Sequence, residues 1–259
     1  MAIQLTQKLD TKTKYTGLII ENKKISTDTY KLIIENKNIS QLALPGQFIS
    51  ILCPPLLIRR PFSIAGIQKN QINIIYKLKG KGTEYISSLK PNTQIELLGP
   101  LGKGFTIHNK RSLLIGAGVG TAPILFLYDK LKLANLKTTI LSGFQTSPNI
   151  EQLYTNDCLL ITEDGSSGYK GQITQYIENK INSYKPEIIY ACGPKIVLKQ
   201  IVNIANKRNI ETEIALEEIF ACGIGACMGC AIEIIENNRI TNKRICKDGP
   251  VFKGDTIVW

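Results

Sequence analysis

The chain has 259 residues, of which 43% are hydrophobic and 20% charged, a composition typical of a folded globular protein and not of a disordered or collagen-like one. It is basic, with 32 Lys and Arg against 21 Asp and Glu, and it contains seven cysteines and one histidine. The odd cysteine count argues against a complete set of disulfides, and a single histidine excludes most histidine-based metal sites and argues against a Ser-His-Asp triad.

The first ten residues lack the basic and then apolar pattern of a signal peptide. The longest apolar run, residues 113–128, is shorter than the roughly 20 residues that a membrane span needs, and Gly and Pro interrupt it. We therefore expect a cytoplasmic protein without a membrane partner, in which reduced cysteines bind metal or take part in redox chemistry. The basic residues are dispersed and lack interleaved aromatic residues, so we expect a solvated surface and no nucleic-acid partner.

The region up to about residue 107 alternates short β-rich runs with turn signals. The runs are residues 14–21, 29–34, 47–52, 71–78 and 94–98. Regularly spaced short strands indicate an antiparallel barrel or sandwich. One helical stretch, residues 83–89, interrupts them, and Thr83 is placed to cap that helix.

The middle of the chain changes to an alternation of strands and helices. The predicted strands are 113–115, 138–141, 158–162 and 187–191, and the predicted helices are 122–133, 172–182 and 195–205. Repeated βα units imply a parallel sheet covered by helices. The sequence therefore predicts a multidomain β plus α/β protein, with an antiparallel β-barrel domain over residues 1–107, an α/β domain over 108–210 and a small cysteine-rich domain over 211–259.

Four cysteines in the last region follow the C-x4-C-x2-C…C spacing of plant-type [2Fe–2S] sites: Cys222, Cys227, Cys230 and Cys246. Four thiolates must converge on two irons, so a short loop encloses the cluster and a distant cysteine closes it. Glycines allow tight turns that point N–H groups at the sulfurs. A four-cysteine zinc site is the alternative, although zinc ribbons favour two C-x2-C knuckles and this tail has one. The gap before Cys246 is shorter than in plant ferredoxins, so we do not expect a complete ferredoxin domain.

Two glycine-containing motifs precede predicted helices. Residues 116–121, Gly-Ala-Gly-Val-Gly-Thr, follow a strand and open a helix, where backbone amides and the helix dipole favour a phosphate. The spacing is G-x-G-x-G and not the G-x-G-x-x-G of the Rossmann fingerprint, and a tight turn between strand and helix would give the same pattern. Residues 80–83, Gly-Lys-Gly-Thr, form a second phosphate-ready helix start.

Residues 59–63, Arg-Arg-Pro-Phe-Ser, combine cations, an aromatic ring and a hydroxyl. Such a set could meet a phosphate, a ring system and a polar ring edge together. A solvated Arg pair beside a core Phe would explain the same residues equally well.

The order of these motifs resembles the ferredoxin–NADP reductase superfamily over nearly the whole chain. The motifs are Arg60-Pro-Phe-Ser63, Gly82-Thr83, residues 99–102, residues 116–123 and Cys192-Gly-Pro194. They are common to many flavin reductases. Two more specific motifs, residues 221–230 and 246–252, look like those of the electron transfer subunits of bacterial dihydroorotate dehydrogenase B.

The resemblance implies that the barrel binds FAD, that the α/β domain binds NAD(H) and that the four tail cysteines bind a [2Fe–2S] cluster. The implied FAD-binding residues are Arg60, Pro61, Phe62, Ser63, Ile75, Tyr76, Lys77, Gly82 and Thr83. The implied NAD(H)-binding residues are Gly116, Gly118, Gly120, Thr121, Cys192, Gly193 and Pro194. No residue is assigned to acid–base catalysis, because the pyrimidine chemistry belongs to a partner subunit.

By this resemblance the chain is an NADH-dependent flavin and iron–sulfur oxidoreductase subunit. It would pass electrons between NADH, FAD, the cluster and the FMN of a catalytic dihydroorotate dehydrogenase subunit in pyrimidine biosynthesis, within a heterotetramer of two copies of each. NADH is favoured over NADPH because no basic residue follows Leu141 in residues 142–149. The runner-up is the FAD and [2Fe–2S] subunit of a sulfide dehydrogenase or of an NADH-dependent ferredoxin:NADP oxidoreductase. A non-enzymatic iron–sulfur sensor or a zinc-stabilised module is the alternative from another class.

The other cysteines and the histidine receive simpler interpretations. Cys53 and Cys158 are expected to be ordinary buried residues. Cys192 is either a small packed residue or one with a redox role, and His108 is expected to mark the boundary between two domains.

Overall fold

A computed structural model describes residues 13–259. The segment in which we expect no signal peptide, residues 1–10, lies outside the described residues. Among residues 13–259, no helix is long and apolar enough to span a membrane. The described chain contains a closed barrel, a seven-stranded sheet and a two-stranded hairpin, which confirms the predicted fold class.

The barrel is antiparallel and has the strand order β1-β2-β5-β4-β3-β6. Its strands are β1 (Lys14–Lys24), β2 (Thr29–Glu35), β3 (Phe48–Ile51), β4 (Arg60–Gln68), β5 (Gln71–Lys77) and β6 (Gln94–Leu101), and its helices are α1 (Lys37–Leu42) and α2 (Lys81–Ser88). Alternation along β5 buries Ile72, Ile74 and Tyr76 in the barrel core, as the two-residue period of a strand requires.

Two details of the barrel differ from the sequence-based prediction. Strand β4 was not predicted, because its sequence contains Pro61 and Gly66, residues that normally weaken a strand. Helix α2 begins at Lys81, so Thr83 is not its N-cap. The Thr83 hydroxyl instead reaches back and accepts hydrogen bonds from the N–H groups of Lys79 (2.8 Å) and Gly80 (3.2 Å).

The seven-stranded sheet has the order β10-β9-β8-β7-β11-β12-β15, parallel throughout except for the edge strand β15. The strands are β7 (Ser112–Ala117), β8 (Thr138–Phe144), β9 (Cys158–Thr162), β10 (Tyr169–Lys170), β11 (Ile188–Cys192), β12 (Glu211–Ala215) and β15 (Val251–Lys253). The long helices are α3 (Thr121–Leu133), α4 (Ile173–Tyr184) and α5 (Lys195–Asn206). The predicted βα alternation therefore produces the expected parallel sheet.

The C-terminal region contains the hairpin β13 (Ala231–Glu236) and β14 (Arg239–Arg244), followed by the short helix α6 (Ile245–Asp248). This region also supplies β12 and β15 to the parallel sheet. The sheet thus extends past residue 210, where the sequence analysis placed the boundary between the second and third domains, because β12 pairs with β11 directly after α5.

Candidate functional site

The four tail cysteines lie on a loop and a helix that the hairpin brings together. Residues 216–230, the cysteine loop, connect β12 to β13, and Cys246 lies in α6. The pairing of Ala231 with Arg244 places Cys230 next to the start of α6, where the Ile245 N–H donates to the Cys230 carbonyl at 3.0 Å. Hairpin pairing therefore closes the long sequence gap before Cys246.

The cysteine sulfurs form two pairs. The Sγ atoms of Cys222 and Cys227 are 3.3 Å apart, and the thiol of Cys246 interacts with that of Cys230. In residues 13–259, no three His, Cys, Asp or Glu side chains converge as ligands of a single metal ion. In a [2Fe–2S] cluster each iron takes two thiolates, so two pairs fit a two-iron cluster better than one tetrahedral zinc ion.

Backbone N–H groups point at the sulfurs. Gly225 N lies 3.1 Å from the Cys246 Sγ atom, and Cys227 N lies 3.4 Å from the Cys222 Sγ atom. Gly225 has φ +79°, and a Cβ atom there would lie 2.5 Å from the Lys247 side chain, so only glycine suits this turn. N–H donors of this kind stabilise negatively charged sulfur.

The pKa values of two of the four thiols are shifted in opposite directions. Burial works to raise the pKa of Cys222, but N–H donors from Cys227, Ile224 and Ala226 lower it to about 6. Burial, followed by the neighbouring Cys230 sulfur, raises the pKa of Cys246 to about 12. A bound metal centre would offset this repulsion and hold all four as thiolates, so the residues fit an iron–sulfur cluster.

A cleft with an empty volume of about 810 Å³ lies between the barrel, the α/β sheet and the cysteine loop. Seven of the residues assigned to FAD line it: Pro61, Phe62, Ser63, Ile75, Tyr76, Lys77 and Thr83. Arg60 and Gly82 do not line the cleft but lie against each other, since a Cβ atom at Gly82 would be 2.6 Å from the Arg60 Nε atom. This contact places the Arg60 guanidinium beside the first turn of α2, a position suited to a phosphate.

Other residues that line the cleft were not predicted from the sequence. Lys79 comes from the segment before α2, Val119 from the glycine loop (residues 116–121), and Glu217 and Phe220 from the start of the cysteine loop. The Phe220 ring packs against Phe48 with a centroid distance of 5.2 Å. Only the tertiary fold joins these segments, and the cleft therefore extends to the cysteine loop two residues before Cys222.

The glycine loop forms the junction between β7 and α3. A Cβ atom at Gly120 would lie 2.5 Å from the Cys192 carbonyl oxygen, whereas one at Gly118, which has φ +57°, would meet nothing within 4 Å. Gly118 thus faces open space at the carboxyl edge of the sheet, where nucleotides bind in this class of fold.

The remaining residues assigned to NAD(H) differ in exposure. Thr121 is fully buried and its hydroxyl bonds the Ser142 hydroxyl at 2.8 Å, so it fixes the turn and does not face the open edge. Cys192 is buried, and burial, followed by the Glu217 carboxylate, raises the pKa of its thiol well above the usual value. Gly193 packs on Ala117 at the same edge, immediately before Pro194 and α5.

The cysteines and histidine outside the cluster also have defined places. Cys53 is fully buried in the barrel core, while Cys158 is only partly buried. His108 lies between the barrel and β7, with its Nε2 atom 3.5 Å from a Glu213 carboxylate oxygen.

The fold and the site can be compared with known proteins. A family model described as the iron–sulfur cluster binding domain of dihydroorotate dehydrogenase B matches residues 217–258. The chain is 36% identical over 250 residues to the dihydroorotate dehydrogenase B (NAD(+)) electron transfer subunit of Caldanaerobacter subterraneus subsp. tengcongensis, covering 95% of this chain and 99% of that protein. The subunit of the same name from Desulforamulus reducens is 34% identical, with coverages of 91% and 94%.

Solved structures give the same picture of the fold. The structure of an NADH-dependent reduced ferredoxin-NADP oxidoreductase, reported for flavin-based electron bifurcation, has a TM-score of 0.83 and 28% identity, covering 94% of this chain and 90% of that one. A ferredoxin-NADP+ reductase from Plasmodium falciparum has a TM-score of 0.61 at 21% identity, covering 80% of this chain and 93% of that one. At that identity the likeness concerns the fold alone.

Proposed function

The chain belongs to the family of dihydroorotate dehydrogenase B (NAD(+)) electron transfer subunits, and we propose that it carries electrons between NADH and the FMN of a catalytic subunit through FAD and a [2Fe–2S] cluster. The proposal is supported most directly by the cysteine loop, which both lines the cleft and contains three of the four cluster cysteines. Phe220 lines the cleft and stands two residues before Cys222 on the same loop. A cofactor in the cleft would therefore lie beside a cofactor held by the cysteines.

The proposed cofactors supply complementary chemistry. NADH releases two electrons together as a hydride and an iron–sulfur cluster takes one at a time, whereas bound FAD can exchange electrons either way. In this assignment Pro61, Phe62 and Ser63 hold the flavin in the cleft. Arg60, packed on Gly82 at the first turn of α2, binds its pyrophosphate.

The coenzyme is proposed to enter from the α/β side. Gly118 leaves room for its pyrophosphate at the carboxyl edge of the sheet, and Val119 extends from the same loop into the cleft. Cys192 and Gly193 then lie close to where the nicotinamide reaches the flavin. The buried Cys192 thiol stays protonated there, because desolvation raises its pKa, so we assign it a packing role.

The partner side of the proposal concerns the surface around the cysteines. Ile219 is 88% exposed and Met228 55% exposed, and both belong to the cysteine loop. Exposed apolar side chains next to a redox site are typical of a docking surface. We propose that the FMN-containing catalytic subunit binds here, in an assembly of two copies of each subunit in the cytoplasm.

A second candidate function is that of the NADH-dependent ferredoxin-NADP oxidoreductase, favoured by the TM-score of 0.83. The two functions differ in the partner and not in the cofactors of this chain. We propose to co-express the chain with its own genome's candidate catalytic subunit, purify the complex without air and assay NADH-dependent reduction of orotate. Orotate reduction by the complex supports the first function. Reduction of NADP+ by ferredoxin and NADH, without orotate reduction, would favour the second.

A further inference from the structure

We infer that Phe220 is a positioning residue that keeps water out of the space between the flavin cleft and the iron–sulfur cluster. The inference rests on the proposed function, because it concerns the two cofactor sites described there. The Phe220 ring lines the cleft and packs on Phe48 with a centroid distance of 5.2 Å. By excluding water, the ring holds the cluster at a low reduction potential.

Four apolar residues, which we call the partition, line the cleft on the side of the cysteines. Strand β3 supplies Phe48, the cysteine loop supplies Leu216 and Phe220, and the residue before β15 is Pro250. The Leu216 N–H donates to the Pro250 carbonyl at 3.0 Å, which ties two of these segments together. Three distant segments of the chain therefore contribute to one apolar surface.

The barrel fixes the ring on which Phe220 packs. Phe48 lies on β3 between β4 and β6 and is 3% exposed. A Cβ atom at Gly102, which has φ +76°, would lie 3.1 Å from the Phe48 Cε1 atom. A Cβ atom at Gly223 would lie 3.4 Å from the Ser50 Oγ atom, so the cysteine loop also contacts β3 directly. Phe220 is thus held between the cysteine loop and a strand of the barrel.

Two of the four cluster cysteines share a hydrophobic core with the partition. Cys230 and Cys246 are buried, whereas the other two cluster cysteines are only partly buried. Both buried cysteines lie in one hydrophobic core with Phe48 and Leu216, and Phe220 packs against this core. The partition therefore lies on the side of the cluster that solvent reaches least.

Charged groups lie close to the partition. Glu217 and Glu218 are the charged residues that the cysteine loop adds to the cleft, and both also line a small cavity beside Lys195 at the start of α5. Water can hydrate these carboxylates from the α5 side. Phe220 stands between them and Cys222 in the loop, so loss of its ring opens a route from hydrated carboxylates to the cysteines.

Exclusion of water lowers the reduction potential for an electrostatic reason. Reduction adds one electron to the cluster, transfers no atom and makes the cluster more negative by one charge. Water stabilises the more negative state, so a dry surrounding disfavours reduction. Removal of the Phe220 ring leaves space beside polar partners, which is the kind of space that holds a water molecule.

The test is a redox titration of the complete flavin- and cluster-containing chain with dithionite and mediators, followed by electron paramagnetic resonance. In Phe220→Ala we expect the equilibrium constant for cluster reduction to rise roughly tenfold, which corresponds to about 59 mV for one electron. Water labelled with a magnetic oxygen isotope should couple to the reduced cluster more strongly than in the unaltered chain. Phe220→Leu keeps an apolar side chain and should restore the equilibrium constant to within about twofold.

Tyr184→Ala is the matched control. It removes a half-buried aromatic ring that packs against the same hydrophobic core, but from α4, which lies on β7, β8 and α5 and not in the cleft. It should leave the equilibrium constant within about twofold. If Phe220→Ala assembles no cluster, Phe220→Val takes its place and should show a smaller rise of the same sign.

An unchanged or lower potential in the alanine variant would overturn the inference. An equal rise in Tyr184→Ala would do the same, because it would indicate a general loosening of the fold, and so would a rise in Phe220→Leu as large as that in Phe220→Ala. Dithionite replaces NADH in these measurements, so they do not depend on coenzyme oxidation. Absence of any [2Fe–2S] signal in the unaltered chain would instead contradict the proposed function, and that outcome is recognisable before any variant is made.

Discussion

The Glu213 carboxylate accepts a hydrogen bond from the backbone N–H of Thr106 across 2.8 Å. Glu213 lies on β12, and Thr106 lies in the linker, residues 102–111, between the barrel and β7. The Tyr190 hydroxyl on β11 donates to the Thr106 carbonyl at 2.7 Å. Both backbone groups of Thr106 are therefore held by the parallel sheet.

The barrel holds the other end of the linker. The N–H of Phe105 donates to the Pro45 carbonyl at 2.8 Å, and the Gln47 side-chain amide donates to the Gly102 carbonyl at 2.8 Å. The linker is thus bonded to both halves of the molecule, and this double attachment sets how the barrel faces the glycine loop across the cleft.

Removal of the Glu213 carboxylate should loosen this attachment. Glu213→Ala leaves the half-buried Thr106 N–H without its acceptor, and we expect the free energy of unfolding to fall by about 1–2 kcal/mol. Thermal unfolding measures this loss, and hydrogen exchange at the Thr106 amide should accelerate. The control is Glu211→Ala, on the same strand as Glu213. It removes a surface ion pair with Lys110 and should lower the free energy of unfolding by less than about 1 kcal/mol. Equal effects of the two substitutions would contradict the role of Glu213.

The same carboxyl group gives a prediction about pH. Burial raises the pKa of Glu213 above its ordinary value of 4.5, although hydrogen bonds from Thr106 and the nearby His108 partly oppose the shift. Between 4.5 and the raised value the folded state binds more protons than the unfolded state, so the contribution of Glu213 to stability falls as pH rises through that window.

Glu213→Gln lacks this titration and serves as the reference. The melting temperature of the unaltered chain minus that of the variant should therefore decrease as pH rises from about 4, and then level off. A difference that grows with pH would show that the pKa of Glu213 is lowered by folding.

The two loop glycines should respond to alanine in different ways. At Gly120 the added Cβ atom would meet backbone atoms of Cys192 and Gly193 within 2.6 Å, so Gly120→Ala should destabilise the fold. At Gly118 the space is open, so Gly118→Ala should lower the free energy of unfolding by only about 1–2 kcal/mol, because alanine disfavours a positive φ. The larger effect of this substitution should be a loss of NADH affinity. Thermal unfolding and NADH titration of both variants separate the effects. Normal NADH affinity in Gly118→Ala would contradict the assignment of the pyrophosphate to this loop.

The cluster assignment predicts a division among the cysteines. Cys227→Ser or Cys246→Ser removes one member of a sulfur pair, and the purified chain should lose most of its iron and acid-labile sulfide while retaining flavin. The control is Cys158→Ser, at a cysteine outside the cysteine loop, and it should leave the iron, sulfide and flavin contents unchanged. Iron, sulfide and flavin analyses provide the measurement. Stoichiometric zinc in the unaltered chain, with iron absent, would point to the alternative metal.

The sequence was informative where chemistry depends on local spacing. The C-x4-C-x2-C…C pattern predicted the four cysteines as ligands, and hydrophobic patterning indicated the barrel and the parallel sheet. It could not show that Cys230 lies against Cys246, because the hairpin register decides that contact.

The residues missed by the sequence analysis depend on long-range contacts. Lys79, Glu217 and Phe220 line the cleft only because three distant segments meet there, and no short motif marks them. Thr121 belongs to the glycine motif, yet its hydroxyl bonds Ser142, a contact that requires β7 and β8 to be adjacent. Residues 60–68 form a strand because β3 and β5 flank them, despite Pro61.

The central claim is that electrons from NADH reach the cysteine-bound cluster by way of the cleft. Its most direct test is to mix the chain with NADH without air and to follow the cluster by electron paramagnetic resonance, in the unaltered chain and in a flavin-depleted sample such as Arg60→Ala. We expect a reduced [2Fe–2S] signal in the unaltered chain, its loss in the depleted sample, and its recovery when FAD is restored. A cluster that NADH reduces equally well without flavin, or that stays oxidised while the flavin is bleached, would contradict the account.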